Sequence, residues 1–172
     1  MCCIDSDSLF LELYNTHLDY TKKLCLIKQK NMLNIRLPGI PDHISEYICS
    51  SALCKYLSIK SKKSKSGDLI TENKTRIECK TFTSDAPISF GPLENWDFLI
   101  LLDAKSWIDG KFTLYKINIS KKKFGYIKVN KNESYNNQCS QKRRPRITFN
   151  NLIKQINKKF IERIEFSICD II

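Results

Sequence analysis

The sequence predicts an α/β domain built on a mixed β-sheet flanked by helices. Three features predict it. Helical spacing of apolar residues marks the first sixty positions, a short hairpin and two further strands follow, and helical spacing returns near the end. At 172 residues the chain is long enough for one domain with its own core and short for two.

Residues 5–30 carry Leu9, Leu11, Leu13, Leu18, Leu24 and Ile27 at positions that fit one or two amphipathic helices. LPGIP (37–41) is a turn, and HISEYICSSALCKYL is a helix whose buried stripe is Ile44, Ile48, Ser51 and Leu53 or Leu57. SKKSKSG (61–67) reads as a polar loop. Two short strands follow, about 68–71 and 75–82, joined by Glu72, Asn73 and Lys74. Proline and glycine punctuate 85–95, which predicts a short turn or helix. DFLILLDA (97–104) is an almost unbroken apolar run between aspartates, the pattern of a central strand buried on both faces. FTLYKINIS (112–120) is a further strand reached through the Asp109-Gly110 turn. After a broken, basic stretch from 121 to 147, a last helix is expected over about 148–164. Thr148 would cap it, with Phe149, Leu152, Ile153, Ile156, Phe160 and Ile164 facing the core.

Apolar residues make up 42% of the chain and charged residues 27%, a balance that argues against disorder throughout. No stretch approaches the roughly 20 apolar residues that span a bilayer. The amino terminus, MCCIDSDSLF, has acids where a secretory leader has bases, so a cytoplasmic location is expected. The eight cysteines form no CxxC pair, and His17 and His43 sit in no ligand spacing; small apolar fillers are expected rather than a zinc site. Net charge is +11, and residues 120–165 hold 13 Lys+Arg against 3 Asp+Glu. An excess so concentrated predicts one basic surface facing a polyanion, most plausibly nucleic acid.

The most informative stretch is SGDLITENKTRIECKTF (66–82). Side chains alternate along a strand, so Ile77 and Cys79 face one side while Arg76, Glu78 and Lys80 face the other. Asp68, at the start of the neighbouring strand, comes alongside Glu78. Two carboxylates about 4 Å apart repel by roughly 4 kcal/mol at an effective dielectric of 20. A divalent cation between them removes the conflict, and Mg²⁺ suits because it takes few carboxylates and accepts phosphate oxygens. Lys80 beside them can orient a water or steady a phosphate. Together the three groups can hydrolyse a phosphodiester.

SGD…IECK resembles the catalytic hairpin of the PD-(D/E)XK nuclease superfamily, with Asp68 as its acid and Glu78-Cys79-Lys80 as its ExK element. Glu46, in HISEYICSSAL, resembles the glutamate that these enzymes often carry on the preceding helix to help hold a metal or its water. The similarity covers roughly residues 44 to 120. Gly67 stands where the superfamily name has proline. Pro41-Asp42 is a literal PD, but it lies too far upstream and reads as a helix start. The link from Phe82 to DFLILLDA is short for a crossing helix, which leaves the places of Asp85, Glu94 and Asp97 open. Small size and a basic carboxy-terminal arm are similar to short type II restriction endonucleases, such as those reading GCNGC.

The resemblance implies a single nuclease domain over 1–172: a catalytic core at 44–120, then a basic DNA-recognition segment and C-terminal helix at 121–165. It also implies Mg²⁺, bound by Asp68 and Glu78 with Glu46 in support, 5′-phosphate and 3′-hydroxyl ends, and a homodimer on a palindromic site. A cognate DNA methyltransferase is the expected functional companion. In NNQCSQKRRPRITFNNL (136–152), Gln138, Gln141, Lys142, Arg143, Arg144 and Arg146 have the chemistry to read base edges or neutralise phosphates of double-stranded DNA. KKKFGYIKVNK (121–131) reads as a backbone clamp anchored by Phe124 and Tyr126. Rival readings are a structure-selective nuclease such as a junction resolvase, a non-catalytic nucleic-acid binder, and an RNA-associated basic domain.

Overall fold

The computed structural model describes residues 6–30, 34–64 and 68–172, and at Ser6 and Glu94 the backbone alone. Cys2, Cys3 and Gly67 lie outside the described residues, as does the side chain of Glu94. Among the described residues, six strands form one mixed sheet: β1 (Ser61–Lys63), β2 (Leu69–Thr71), β3 (Arg76–Phe82), β5 (Phe98–Asp103), β6 (Lys111–Ile117) and β8 (Ile161–Ser167), in that spatial order. Only β3 and β5 run parallel; every other neighbouring pair is antiparallel. β4 (Ile88–Ser89) and β7 (Arg146–Ile147) make a separate two-stranded ribbon. The α/β expectation holds.

β5 explains why the sheet has two cores. Leu99, Ile100, Leu101 and Leu102 are all fully buried, and alternation sends them to opposite faces. Ile100 and Leu102 join Ile77 and Cys79 under α1 (Ser6–Gln29) and α2 (Asp42–Leu57). Leu99 and Leu101 join Phe82, Phe90, Trp96, Phe124 and Tyr135 on the other face. That second face is covered by the β4–β7 ribbon and by three short helices, α3 (Lys121–Gly125), α4 (Tyr135–Ser140) and α5 (Phe149–Lys154).

α1 is one helix, and the expected stripe holds only in part: Leu18 packs against the core and Leu11, Leu24 and Ile27 are half-buried. Phe10, Tyr14 and Thr21 are buried, whereas Leu9, Leu13 and Leu26 are exposed. Aromatic partners decide the rotation: Phe10 stacks on Tyr47 of α2, and the Tyr14 hydroxyl donates to the Trp107 carbonyl at 2.8 Å. Burial pushes the Tyr14 hydroxyl up to about 12, so it stays a donor at any ordinary pH. α2 buries Ile44, Ser45, Ile48, Cys49, Ala52 and Leu53, and it begins at Asp42 after Pro41, so Pro41-Asp42 is a helix start as expected. Ser51 and Leu57 are only half-buried.

Three expectations are corrected. Ser61–Lys63, expected in a loop, is the edge strand β1, because its backbone pairs with β2 from Ser61 opposite Thr71 to Lys63 opposite Leu69. The long last helix does not form. α5 stops at Lys154, Asn157 caps a single turn over Lys158–Phe160, and residues from Ile161 on become β8 along the whole of β6. The capping by Thr148 is as expected: its hydroxyl accepts from Asn151 N–H. Phe124 is fully buried, but Tyr126 is 65% exposed and anchors nothing.

Asp97, left open by the sequence, is a clasp at the foot of the parallel pair. Its carboxylate accepts from the Arg76 backbone N–H at 2.9 Å and from the Arg76 guanidinium, and Lys121 lies 3.1 Å away. The Arg76 backbone bond, then its side chain and Lys121, hold the carboxyl down to about 2. A depressed carboxyl contributes stability above its ordinary 3.8 and loses it as pH falls through about 2. Asp97→Asn is therefore expected to be less stable than wild type at pH 5 and equal to it below pH ~2. Urea unfolding at the two pH values checks this; a gap of constant size contradicts it.

Candidate active site

Register carries Asp68 to Glu78. β2 and β3 pair with Leu69 opposite Ile77, which places Asp68, one residue before β2, across from Glu78. Glu78 and Lys80 share the face of β3 that also bears Phe82, and the three site side chains are only 12–23% exposed. The Asp68 carboxylate is fixed from behind, because its Oδ2 accepts from the Cys79 backbone N–H at 2.7 Å. Lys80 then bridges the acids: Nζ is 2.8 Å from Glu78 Oε1 and 3.5 Å from Asp68 Oδ2.

The ammonium resolves the repulsion that the sequence implied. Burial works against the charged form of Lys80, but the bond to Glu78 and the charges of Glu78 and Asp68 outweigh it and hold the group above the usual lysine value. Lys80 is thus a cation at neutral pH, a donor rather than a base. Its contribution to stability is complete below the ordinary 10.5 and is lost only as pH rises through the raised value.

Glu46 lies apart from this trio. It projects from α2, its carboxylate is 15% exposed, and its charge is met by Lys63 Nζ of β1 at 3.0 Å, an ion pair without the alignment of a hydrogen bond. Asp85 is exposed and pairs with Lys105, and Asp97 is the clasp above; neither belongs to the trio. Among the described residues, no group of three or more His, Cys, Asp or Glu stands close enough to hold a metal ion. Asp68 and Glu78 are the two carboxylates that the trio itself offers. Among the described residues no hydrogen bond engages Asp68 Oδ1 or Glu78 Oε2, so each carboxylate keeps one oxygen open. Two hard oxygen donors with open lone pairs, facing a half-open surface, fit Mg²⁺ completed by water and phosphate.

The basic segment divides into tied and open side chains. Gln138 is 4% exposed and its amide donates to Glu133, which also receives Arg143 at 2.7 Å and Asn130 at 2.7 Å. The bond from Gln138, then those from Asn130 and Arg143, hold the Glu133 carboxyl down to about 2. Gln138 and Arg143 thus frame the loop, with Gln141 Oε1 accepting from Arg143 at 2.9 Å, whereas Lys142, Arg144 and Arg146 are exposed and make no ion pair among the described residues. The loop is also fastened to the ribbon: Ser89 pairs with Arg146, and Phe90 N–H donates to the Pro145 carbonyl at 3.1 Å. Beside the loop lies a groove of about 500 Å³ whose lining includes Phe90, Pro92, Leu93, Lys142, Arg143 and Arg144.

A family model described as Bsp6I restriction endonuclease matches residues 6–159. The chain belongs to the Bsp6I restriction endonuclease family. The match runs from α1 through the site and the basic loop and ends just before β8. No curated protein and no solved structure matches the chain. As a restriction endonuclease the protein is a nuclease whose substrate is DNA, and its mixed six-stranded sheet with flanking helices agrees with a restriction-endonuclease-like core. No helix among the described residues is long and apolar enough to cross a membrane. Cys25, Cys49, Cys54, Cys79 and Cys169 form no disulfide, and a hydrogen bond with Cys49, then burial, pushes the Cys79 thiol up.

In this endonuclease the sequence reading passed over Gly91. A Cβ built there would stand 3.8 Å from Glu78 Oε1 and 4.0 Å from Arg144 Nη2, so this one backbone position borders both the acidic site and the basic loop. FGP, read only as turn punctuation, held the clue: a glycine before proline in a segment returning to the ExK strand.

Proposed function

We propose that this endonuclease cleaves double-stranded DNA at a short palindromic or nearly palindromic sequence with Mg²⁺, using Asp68, Glu78 and Lys80, and leaves 5′-phosphate and 3′-hydroxyl ends. The observation that carries the reading is Lys80 seated between two carboxylates on one face of β3, in a chain of this family. Mg²⁺, held by Asp68 and Glu78, would supply positive charge to the phosphate and lower the pKa of the attacking water.

The chain's own groups do the rest. The Cys79 N–H keeps Asp68 aimed at the site. Lys80, already charged, donates to the incoming water and to the phosphate as negative charge builds on it. The water oxygen would bond to phosphorus in line with the P–O3′ bond while giving up a proton to solvent, the P–O3′ bond would break, and the 3′ oxygen would take a proton from solvent, leaving a 5′-phosphate and a 3′-hydroxyl. Glu46, apart from the trio in this structure, would support a metal or a proton relay once Lys63, itself 67% exposed, turns to solvent. Two copies acting as a homodimer would each cut one strand, since two-fold protein symmetry matches a two-fold site. The resemblance to short enzymes reading GCNGC makes that sequence the first target to try, with a cognate methyltransferase as companion and the cytoplasm as the working compartment.

Digestion of phage DNA with Mg²⁺ and with EDTA tests the reading. Discrete, Mg²⁺-dependent fragments are expected. Cutting confined to four-way junctions would replace it with a structure-selective nuclease, and intact DNA with a binding protein. Arg146, exposed and rigidly placed by its pairing to Ser89, is the base-reading candidate. Arg146→Ala is expected to lose about 1–3 kcal/mol of discrimination between the target and a one-base variant. Competition binding checks this; equal losses on all DNA would make Arg146 a phosphate contact.

A further inference from the structure

We infer that Arg144 binds the scissile phosphate itself, together with Lys80, and that Gly91 is the gap that admits this phosphate. The inference rests on the reading of Glu78 and Lys80 as the hydrolytic centre. Three observations carry it. First, the Arg144 guanidinium and the Glu78 carboxylate both reach to within 4.0 Å of one point, the missing Cβ of Gly91. Second, that point is held from both sides: the buried Tyr135 hydroxyl donates to the Gly91 carbonyl, and the neighbouring Phe90 N–H ties the ribbon to Pro145, next to Arg144. Third, among the described residues Arg144 has no carboxylate partner, in contrast to its neighbour Arg143, whose charge is answered by Glu133.

An unanswered guanidinium that borders the same point as a carboxylate–lysine centre is a ready anion site. Its planar fork matches two phosphate oxygens and stays charged through any pH at which the enzyme works. With Lys80 and Arg144 both reaching it, a phosphodiester would find a cationic donor for each of its non-bridging oxygens. Such donors act mainly as charge accumulates on those oxygens, so Arg144 contributes more to the rate than to binding. A side chain at Gly91 would project into the space where the phosphate sits.

The test uses the full-length enzyme saturated with a duplex containing its target, in single-turnover cleavage. Arg144→Ala is expected to lower the rate constant by about 10²–10³-fold, while affinity for the duplex changes only a few-fold. Arg144→Lys should recover part of the rate. Replacing one non-bridging oxygen of the scissile phosphate by sulfur should slow wild type, and for one of the two stereoisomers should slow Arg144→Ala no further. Gly91→Ala brings its methyl to ordinary contact distances of 3.8 and 4.0 Å, so it should fold and bind DNA yet cut poorly. Arg144→Ala cutting at the wild-type rate once saturated, or an unchanged response to both sulfur isomers, overturns the inference. Glu78→Ala run alongside separates the failures: if it cuts normally the centre itself is misplaced, and if it is dead while Arg144→Ala is unimpaired only the role of Arg144 falls.

Discussion

Glu78→Ala and Lys80→Ala are each expected to lower DNA cleavage by about 10²–10³-fold or more, with binding of target DNA largely retained. Both side chains sit at the centre of the trio, and neither contacts the basic loop through any ion pair among the described residues. The two variants should differ in stability, and the difference tests the electrostatics. Without Lys80, Asp68 and Glu78 face each other uncompensated, a conflict of roughly 4 kcal/mol at 4 Å and an effective dielectric of 20. Mg²⁺ should relieve it, so the melting temperature of Lys80→Ala should rise more on adding Mg²⁺ than that of wild type. Glu78→Ala, which removes one of the two carboxylates, should show the smallest rise. A Lys80→Ala enzyme that cuts at near wild-type rate would remove the trio from the chemistry.

Ile100→Ala is expected to destabilise the protein by about 2–5 kcal/mol while leaving the rate per folded molecule intact. Ile100 is fully buried in the middle of β5 and points to the face covered by α1 and α2, away from Glu78 and Lys80. Its two strand neighbours, β3 and β6, hydrogen-bond on both sides, so the backbone cannot collapse into the space left behind. For a chain of this size each kcal/mol lowers the melting temperature by roughly 2–4 °C, so a fall of about 4–20 °C is expected. A fall below 2 °C would mean that this face of the sheet is far less tightly packed than its burial indicates.

The parts of the fold that could be read from sequence are those in which local pattern and tertiary role agree. DFLILLDA has no polar face to offer water, and it became the central strand. The hairpin carried both alternation and turn residues, so the register that joins Asp68 to Glu78 followed from spacing alone. β8 is the opposite case. From Phe149 to Ile164 the apolar residues keep helical spacing, yet Asn157 caps a new turn and the free edge of β6 takes the remaining residues as a strand. A vacant sheet edge outweighed the local periodicity. β1 was hidden for a related reason, since Ser61, Lys62 and Lys63 have the composition of a loop and are strand only because β2 needed a partner. Leu9 and Leu13 of α1 misled because aromatic packing on Tyr47 and Trp107 set the rotation of the helix.

Within the site, residue types were legible and pairings were not. Asp68, Glu78 and Lys80 meet as their spacing required, while Glu46 is held by a lysine on a strand that the sequence did not reveal. In the basic segment composition could not separate Arg143, neutralised by Glu133, from Arg144, which is not. Position in the folded loop makes that distinction.

The most direct measurement is anomalous diffraction from crystals of the enzyme–DNA complex soaked in Mn²⁺. One ion is expected between Asp68 and Glu78, about 2.1 Å from an oxygen of each, with Lys80 turned from the carboxylates toward the scissile phosphate. Lys80 still clamped between two metal-free carboxylates, with any bound ion elsewhere, would contradict it.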